Sequence, residues 1–294
     1  MQTLQQHLRV AEKDVANLII KISQMAEPIR NEFTKRRGKA DTKNVFGEDQ
    51  LVLDKWANEF LKEKLKATGM VKMLGSEEEP DIVKFKDGAM FSVTIDPLDG
   101  SSNVESNNIV GTIFGIYRDD LPIEGRKQVA ALYLLYGPVI TLVYSAGNGV
   151  HEFLSTPKGF LLKEENIKLP EKGELYSVGG LRKDWIPGME RFVQWMEREG
   201  YKLRYGGSFT GDFNQVLQYG GIFVYPALKS KPEGKLRLLF KANPMSFIME
   251  QAGGASSNGK IPILDIKPNS ANQRTPLFIG NKDLVKKAEE FLNS

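Results

Sequence analysis

Phe91-Ser92-Val93-Thr94-Ile95-Asp96-Pro97-Leu98-Asp99-Gly100-Ser101-Ser102-Asn103 is the stretch on which the reading turns. Phe91 to Ile95 is rich in aromatic and β-branched residues, the composition of a strand. It ends in two carboxylates three residues apart, with Pro97 fixing the backbone between them, so both can converge on one point. Gly100, Ser101 and Ser102 then offer backbone N–H groups and hydroxyls in a tight turn, an anion nest. Carboxylates beside a phosphate would repel it. A Mg²⁺ ion removes that conflict, because it takes oxygen ligands from both at about 2.0–2.1 Å. The plainer alternative is an Asp/Pro/Gly/Ser turn that merely ends a strand. Glu77 and Glu78 favour the metal. They follow a second short strand, Val71 to Leu74, and two strand ends lying side by side would build a multi-oxygen site. Two divalent ions about 3.5–4 Å apart would clamp the attacking and leaving oxygens of an in-line displacement at phosphorus.

Outward from this point, apolar spacing predicts one helix from about Thr3 to Phe33 and a second from Asp49 to Ala67. Between them, residues 34–41 are polar, basic and aperiodic, which reads as a loop. Strands follow at Ile109 to Tyr117, Gln128 to Tyr136 and Val139 to Tyr144, joined by short turns and therefore antiparallel. The second half alternates: strand at Leu175 to Val178, helix at Gly188 to Glu199, helix at Gly211 to Gln218, strand at Ile222 to Tyr225. Asn243-Pro244 reads as an N-cap with proline at the first helical position, opening a helix that ends at Gly253-Gly254. A last helix spans about Asp283 to Leu292. The pattern is a layered α+β or α/β architecture with mixed sheets, and polar residues 163–173 suggest a boundary between halves 1–170 and 171–294.

The 294 residues are 41% hydrophobic and 26% charged, which excludes fibrous and disordered classes. Forty Lys plus Arg against 37 Asp plus Glu leave a net charge of +3, little support for nucleic-acid binding. The longest apolar runs fall short of the ~20 residues that span a bilayer. The absence of cysteine excludes disulfides, thiolate metal sites and a cysteine nucleophile. The polar start of the chain lacks a signal-peptide core, so a cytoplasmic enzyme is expected. Gly254 to Lys260 imitates a phosphate-binding loop, but Ile261 stands where the Mg²⁺-binding hydroxyl belongs. His7 and His151 are far apart in sequence with no partner motif, so a histidine metal site is not expected.

Asp96 to Asn103, continued by Val110-Gly111-Thr112-Ile113-Phe114-Gly115-Ile116-Tyr117, resembles class I fructose-1,6-bisphosphatase. So do Tyr219-Gly220-Gly221-Ile222-Phe223, Gly234-Lys235-Leu236-Arg237-Leu238-Leu239, and Asn243-Pro244-Met245 running to Gly253-Gly254. The resemblance covers roughly residues 48–280. It implies the αβαβα fold of the Mg²⁺-dependent, lithium-sensitive sugar phosphatases, which include the inositol monophosphatases. It further implies that Glu77, Asp96, Asp99 and the carbonyl of Leu98 bind Mg²⁺, with Mn²⁺ as an alternative. Glu78 and Asp54 would position and deprotonate the attacking water. Gly100, Ser101 and Ser102 would hold the departing phosphate. Arg204, Tyr205, Tyr225 and Lys235 would bind the other phosphate, Arg204 reaching from a neighbouring subunit of a homotetramer. Glu48 or Asp49 would serve a third metal, and the loop at 34–48 would close over the site.

Three departures qualify the resemblance. Lys241 follows Phe240 where the family has a glutamate metal ligand. Its ammonium would replace part of a second cation's charge, or another group would supply the missing ligand, or the site would be crippled. Gly179-Gly180-Leu181-Arg182 stands where the family has Asn-Glu-Gly-Tyr, with Arg182 a cation that would compensate. Met90 and Phe91 replace the Lys-Tyr pair that serves AMP in the animal enzymes. The expected activity is hydrolysis of the 1-phosphate of fructose 1,6-bisphosphate, a step of gluconeogenesis. Sedoheptulose 1,7-bisphosphatase and inositol-phosphatase activities are the enzymatic alternatives. A non-catalytic sugar-phosphate sensor is the alternative that Lys241 motivates.

Overall fold

The computed structural model describes residues 2–36, 38–43 and 49–294. Strands β1 (Lys39–Lys43) and β2 (Asp49–Leu51) form an antiparallel pair. An eight-stranded sheet follows, made of β3 (Val71–Ser76), β4 (Val83–Lys84), β5 (Phe91–Asp99), β6 (Val110–Tyr117), β7 (Gln128–Tyr136), β8 (Ile140–Ser145), β9 (His151–Thr156) and β10 (Gly159–Glu164). Its order is β10-β9-β8-β7-β6-β5-β3-β4. The second half supplies β11 (Leu175–Val178), β12 (Lys202–Leu203), β13 (Gly221–Tyr225), β14 (Leu236–Arg237), β15 (Ala255–Ser257), β16 (Arg274–Thr275) and β17 (Leu277–Gly280). Five of these form a sheet of order β12-β11-β13-β17-β15, while β14 and β16 make a separate ribbon.

Helices α1 (Leu4–His7), α2 (Lys13–Ser23), α3 (Ala26–Glu32) and α4 (Val52–Ala67) cover one face of the large sheet, where Leu18, Ile22, Leu61, Val93, Phe114 and Ile116 share a core. Its other face, through Ile113, Tyr133 and Val143, packs on α6 (Phe209–Tyr219) and α7 (Asn243–Gln251). Those helices meet the smaller sheet through Phe223, Leu277 and Ile279. The outer face of that sheet, Tyr176, Ile222 and Val224, is closed by α5 (Pro187–Arg198) and α8 (Lys282–Leu292). The order of layers is therefore αβαβα with mixed sheets, as the resemblance implies. The central strands are buried on both faces, every residue of β5 and β6 included, although β5 alternates apolar Phe91, Val93 and Ile95 with polar Ser92, Thr94 and Asp96.

The N-terminal helix is not continuous. A Thr3–Gln6 capping box starts α1, but Ala11 is extended (φ −81°, ψ 165°) and α2 restarts at Lys13. A second interruption precedes α3, where Pro28 offers no N–H to the carbonyl of Gln24. The predicted loop at 34–41 instead enters β1, whose polar composition carried no strand signal. The Asp49–Ala67 helix begins three residues late because 49–51 form β2. The N–H of Leu51 donates to Asp54 Oδ2 at 3.1 Å, capping α4. At Asn243 the helix is not newly capped. A π-helical turn, Leu238–Ala242, runs directly into α7 and leaves Asn243 fully buried.

The two histidines, distant in sequence, come together when α1 packs beside β10 and its His7 ring reaches Tyr144 and His151 on β8 and β9. Their ring centroids lie 4.4 Å apart. His7 Nδ1 contacts the Tyr144 hydroxyl at 2.6 Å and its Nε2 contacts Glu165 Oε1 at 3.1 Å. One ligand atom each from His7, His151 and Glu165 fall within 4.8 Å of one another, so the sequence reading that gave the histidines no partner is corrected. Burial, and then the charge of His7, lower the His151 pKa to about 4, against the partial opposing pull of Glu165. The unfolded chain would bind that proton below about 6.5. This contribution to stability is thus complete above pH 6.5 and is lost as pH falls towards 4. Glutamine is neutral throughout, so the melts of the wild type and His151→Gln should run in step above pH 6.5, and the variant should gain on the wild type most near pH 4. Parallel pH profiles for the two would show that His151 does not titrate with folding.

Candidate active site

Strand pairing gathers the carboxylates. Parallel register aligns Ser76 with Ile95, and the N–H of Glu77 donates to the Ile95 carbonyl at 3.1 Å. Glu77 therefore emerges beside Asp96. Residues three apart on a regular strand point to opposite faces. Here Asp96 pairs with Ile113 but Asp99 with Gly111, a bulge of one extra residue over Pro97-Leu98. The bulge turns both aspartates to one side. Asp96 Oδ1 accepts the N–H of Leu98 at 3.2 Å. Asp99 is oriented by the start of α6: its Oδ2 accepts from Ser208 Oγ (2.8 Å), the Thr210 N–H (2.7 Å) and Thr210 Oγ1 (2.9 Å). These donors leave Asp99 Oδ1 facing the cavity.

Lys241, on the π-turn, reaches into this cluster. Its Nζ lies 2.6 Å from Asp96 Oδ2, 3.0 Å from Asp99 Oδ1 and 3.1 Å from Glu77 Oε2. Burial drives Asp96 well above the ordinary carboxylate range; Lys241 opposes this, and Glu77 and Asp99 add to it. Burial pushes Asp99 up as well, but the ammonium and the donated hydrogen bonds outweigh it and hold that carboxyl below its usual range.

The turn after β5 has the form expected of an anion nest. Gly100 adopts φ +75°, and a Cβ there would lie 2.6 Å from Ser208 Cβ, so only glycine fits. Ser101–Val104 is a 3₁₀ turn, and Gly100, Ser101 and Ser102 line the cavity. Asp54, on the first turn of α4, accepts a hydrogen bond from Ser101. Burial raises its pKa to about 6, while the Leu51 N–H and Ser101 pull it down. Asp54, Glu77, Glu78, Asp96, Leu98, Asp99, Gly100, Ser101, Ser102 and Lys241 line one cavity of about 240 Å³. All the donors here are hard oxygens, and Asp96 Oδ2 is buried with no hydrogen-bond partner beyond its ionic contact with Lys241. Such a set fits Mg²⁺.

The far wall of the cavity is cationic and aromatic. Tyr205, Tyr225 and Lys235 lie on it as expected, with Lys235 Nζ 5.5 Å from the Tyr225 ring centroid. Burial, then Tyr225 and Asp212, push the Tyr205 phenol up to about 12, so it is a neutral donor at pH 7. Arg274 and Asp212 also line the cavity, and sequence reading missed both. Asp212 is buried, which raises its pKa to about 6, and accepts the Gly206 N–H at 2.7 Å. Arg274 donates to the Lys235 carbonyl at 2.8 Å. An Asp one turn into α6 and a lone Arg in a two-residue ribbon carry no local signal. Two expected residues are elsewhere. Arg204 is exposed, off the cavity, and donates to the Leu203 carbonyl. Arg182 is held by Glu190 through Nε (3.0 and 3.2 Å) and Nη2 (2.6 Å), so it does not compensate for the absent Asn and Tyr. The Tyr225 ring occupies the space a side chain at Gly179 would need, 2.5 Å from an added Cβ. Asp49 opens β2, and Glu48 lies outside the described residues.

Two family models match nearly end to end: the N-terminal domain of fructose-1-6-bisphosphatase over residues 3–163 and its C-terminal domain over 169–293. A class 1 fructose-1,6-bisphosphatase of Pelobacter propionicus is 47% identical over 299 residues, covering 99% of this chain and 93% of that protein. One from Methanocorpusculum labreanum is 44% identical over 292 residues, covering 98% and 91%. The crystal structure of Leishmania major fructose-1,6-bisphosphatase in holo form superposes with a TM-score of 0.95 at 32% identity, covering 100% of this chain and 99% of that one. Its apo form gives 0.89 at 31%.

Proposed function

The chain belongs to the class 1 fructose-1,6-bisphosphatase family, and from that premise we propose how its residues hydrolyse the 1-phosphate of fructose 1,6-bisphosphate to fructose 6-phosphate and inorganic phosphate. The observation that carries the assignment of residues is the single cavity joining a carboxylate cluster to a cationic wall. Glu77, Asp96, Asp99 and Leu98 would hold Mg²⁺. Bound there, the ion polarises the phosphoryl group and lowers the pKa of a water. Glu78 accepts that water's proton, with Asp54 assisting. Gly100, Ser101 and Ser102 receive the oxygens of the phosphate being removed through backbone N–H groups and hydroxyls. Tyr205, Tyr225, Lys235 and Arg274 bind the distant phosphate and so fix which end of the sugar is cut. Arg204, exposed and off this cavity, would serve a neighbouring subunit's site in a homotetramer.

On this reading residues 1–170 carry the metal and phosphate motif and 171–294 the 6-phosphate site. The step belongs to gluconeogenesis in the cytoplasm. No helix among the described residues is long and apolar enough to cross a membrane. The comparisons favour fructose 1,6-bisphosphate over sedoheptulose bisphosphate, inositol phosphates and a non-catalytic sensor. Phosphate release from a panel of these esters tests the choice: fructose 1,6-bisphosphate should be turned over fastest, and no release from any of them would leave a binding protein. EDTA should reduce release to background and added Mg²⁺ should restore it. Full activity after exhaustive chelation would remove the metal from the account.

A further inference from the structure

We propose that the Lys241 ammonium is a resident cation of the active site, occupying a position that a divalent ion would otherwise take, so that the chain binds one fewer divalent ion than its carboxylates could hold. This deepens the phosphatase reading and rests on it. An ammonium has three N–H donors and no acceptor. Here each of its three neighbours is a different carboxylate: Glu77 at 3.1 Å, Asp96 at 2.6 Å and Asp99 at 3.0 Å. The point on which these oxygens converge is therefore already filled. The distances suit N⁺–H···O⁻ pairs and not the ~2.0–2.1 Å of Mg²⁺ to oxygen.

Lys241 has little room to withdraw. It stands on the π-turn between Phe240 and Ala242, and those two and Leu239 are at most 1% exposed. Phe240 packs against Gly75, where an added Cβ would lie 3.1 Å from its ring. The lysine side chain itself is 12% exposed. Charge accounts for why such a residue is tolerated. The glutamate implied here by the family resemblance would, with a divalent ion, carry −1 and +2, a net +1. The ammonium carries the same +1 with no ion bound. Lys241 thus acts as a positioning residue. It neutralises and orients Asp96 and Asp99 before any metal arrives, and it leaves the one remaining ion to the oxygens of Glu77, Asp96 and Asp99 that it does not engage and to the Leu98 carbonyl.

Mn²⁺ counted by equilibrium dialysis on the full chain tests this. Lys241→Glu and Lys241→Met should each bind one more Mn²⁺ per chain than the wild type. Equal counts in all three would overturn the proposal. Should either variant fold poorly, Mn²⁺-soaked crystals of the wild type decide alone. Anomalous density beside the cluster, with Lys241 Nζ still against Asp96 and Asp99, supports the resident cation. Density at the point of convergence, with the lysine displaced, refutes it. Phosphate release by the wild type is measured in parallel. Release with equal counts sinks the lysine and spares the phosphatase; no release with unequal counts does the reverse.

Discussion

Asp96→Ala should lower phosphate release from fructose 1,6-bisphosphate by at least about a thousandfold while the chain still folds. A single preorganised donor is worth about 10²–10³ in turnover at comparable sites. Asp96 does more than one donor, because it would ligate Mg²⁺ and also touches Lys241. Folding should survive for a specific reason. Among the described residues the side chain accepts only the local Leu98 N–H besides the ammonium, and Lys241 keeps two other carboxylates as partners. Burial works against the ionised Asp96 in the folded chain, so its loss also removes a cost. Asp99→Ala is the contrast. It would strip three hydrogen bonds from the N-terminus of α6 and should lower the melting temperature as well as the rate. A thermal melt and a phosphate assay on both variants check the pair. Wild-type turnover in Asp96→Ala would sink the metal assignment.

The same contrast explains how much of the site could be read from sequence. Asp96 to Ser102 is contiguous, and its chemistry follows from residue types at fixed spacing. What could not be read was the device that makes it work. Asp96 and Asp99 share a side only because β5 bulges against β6, and a bulge has no reliable signature in one strand alone. Glu77 was legible as a carboxylate at a strand end, but its nearness to Asp96 depends on parallel pairing between β3 and β5. Asp212, Arg274, Ser208 and Thr210 come from elements more than a hundred residues away, brought in by layer packing. Their local sequence reads as an ordinary helix start and an edge ribbon. Long apolar strands such as β7 declared themselves, whereas β9 and β10 carry Glu152, Lys163 and Glu164 and gave no clean pattern. Asn243 reads as a fresh N-cap because Asn243-Pro244 satisfies the local rule, and nothing in the sequence marks the π-turn before it. Only tertiary packing shows Asn243 buried and the helix continuing backwards through Lys241.

Asp54→Asn should stabilise the metal-free chain at neutral pH and cost about a hundredfold in turnover. Asp54 has a pKa of about 6 in the folded chain, raised first by burial, against an ordinary 3.8. The unfolded chain therefore ionises this carboxyl more readily. The penalty is absent below pH 3.8, grows as pH rises towards 6, and is constant above it, at about 2–3 kcal/mol. Asparagine is neutral and keeps an amide oxygen to accept the Leu51 N–H that caps α4. In EDTA the variant should melt about 4–10 °C higher than the wild type at pH 8, the gap closing near pH 4. Turnover should fall because the amide cannot take the proton that Asp54 would help to accept under the proposed mechanism, a role worth about 10²–10⁴ for a positioned base. The two effects have one origin: a carboxylate held ionised where water is scarce is both unfavourable to fold around and ready to bind a proton. Equal melting temperatures across the pH range would show that Asp54 is solvated in the folded chain. Unchanged turnover would leave Glu78 as the sole base.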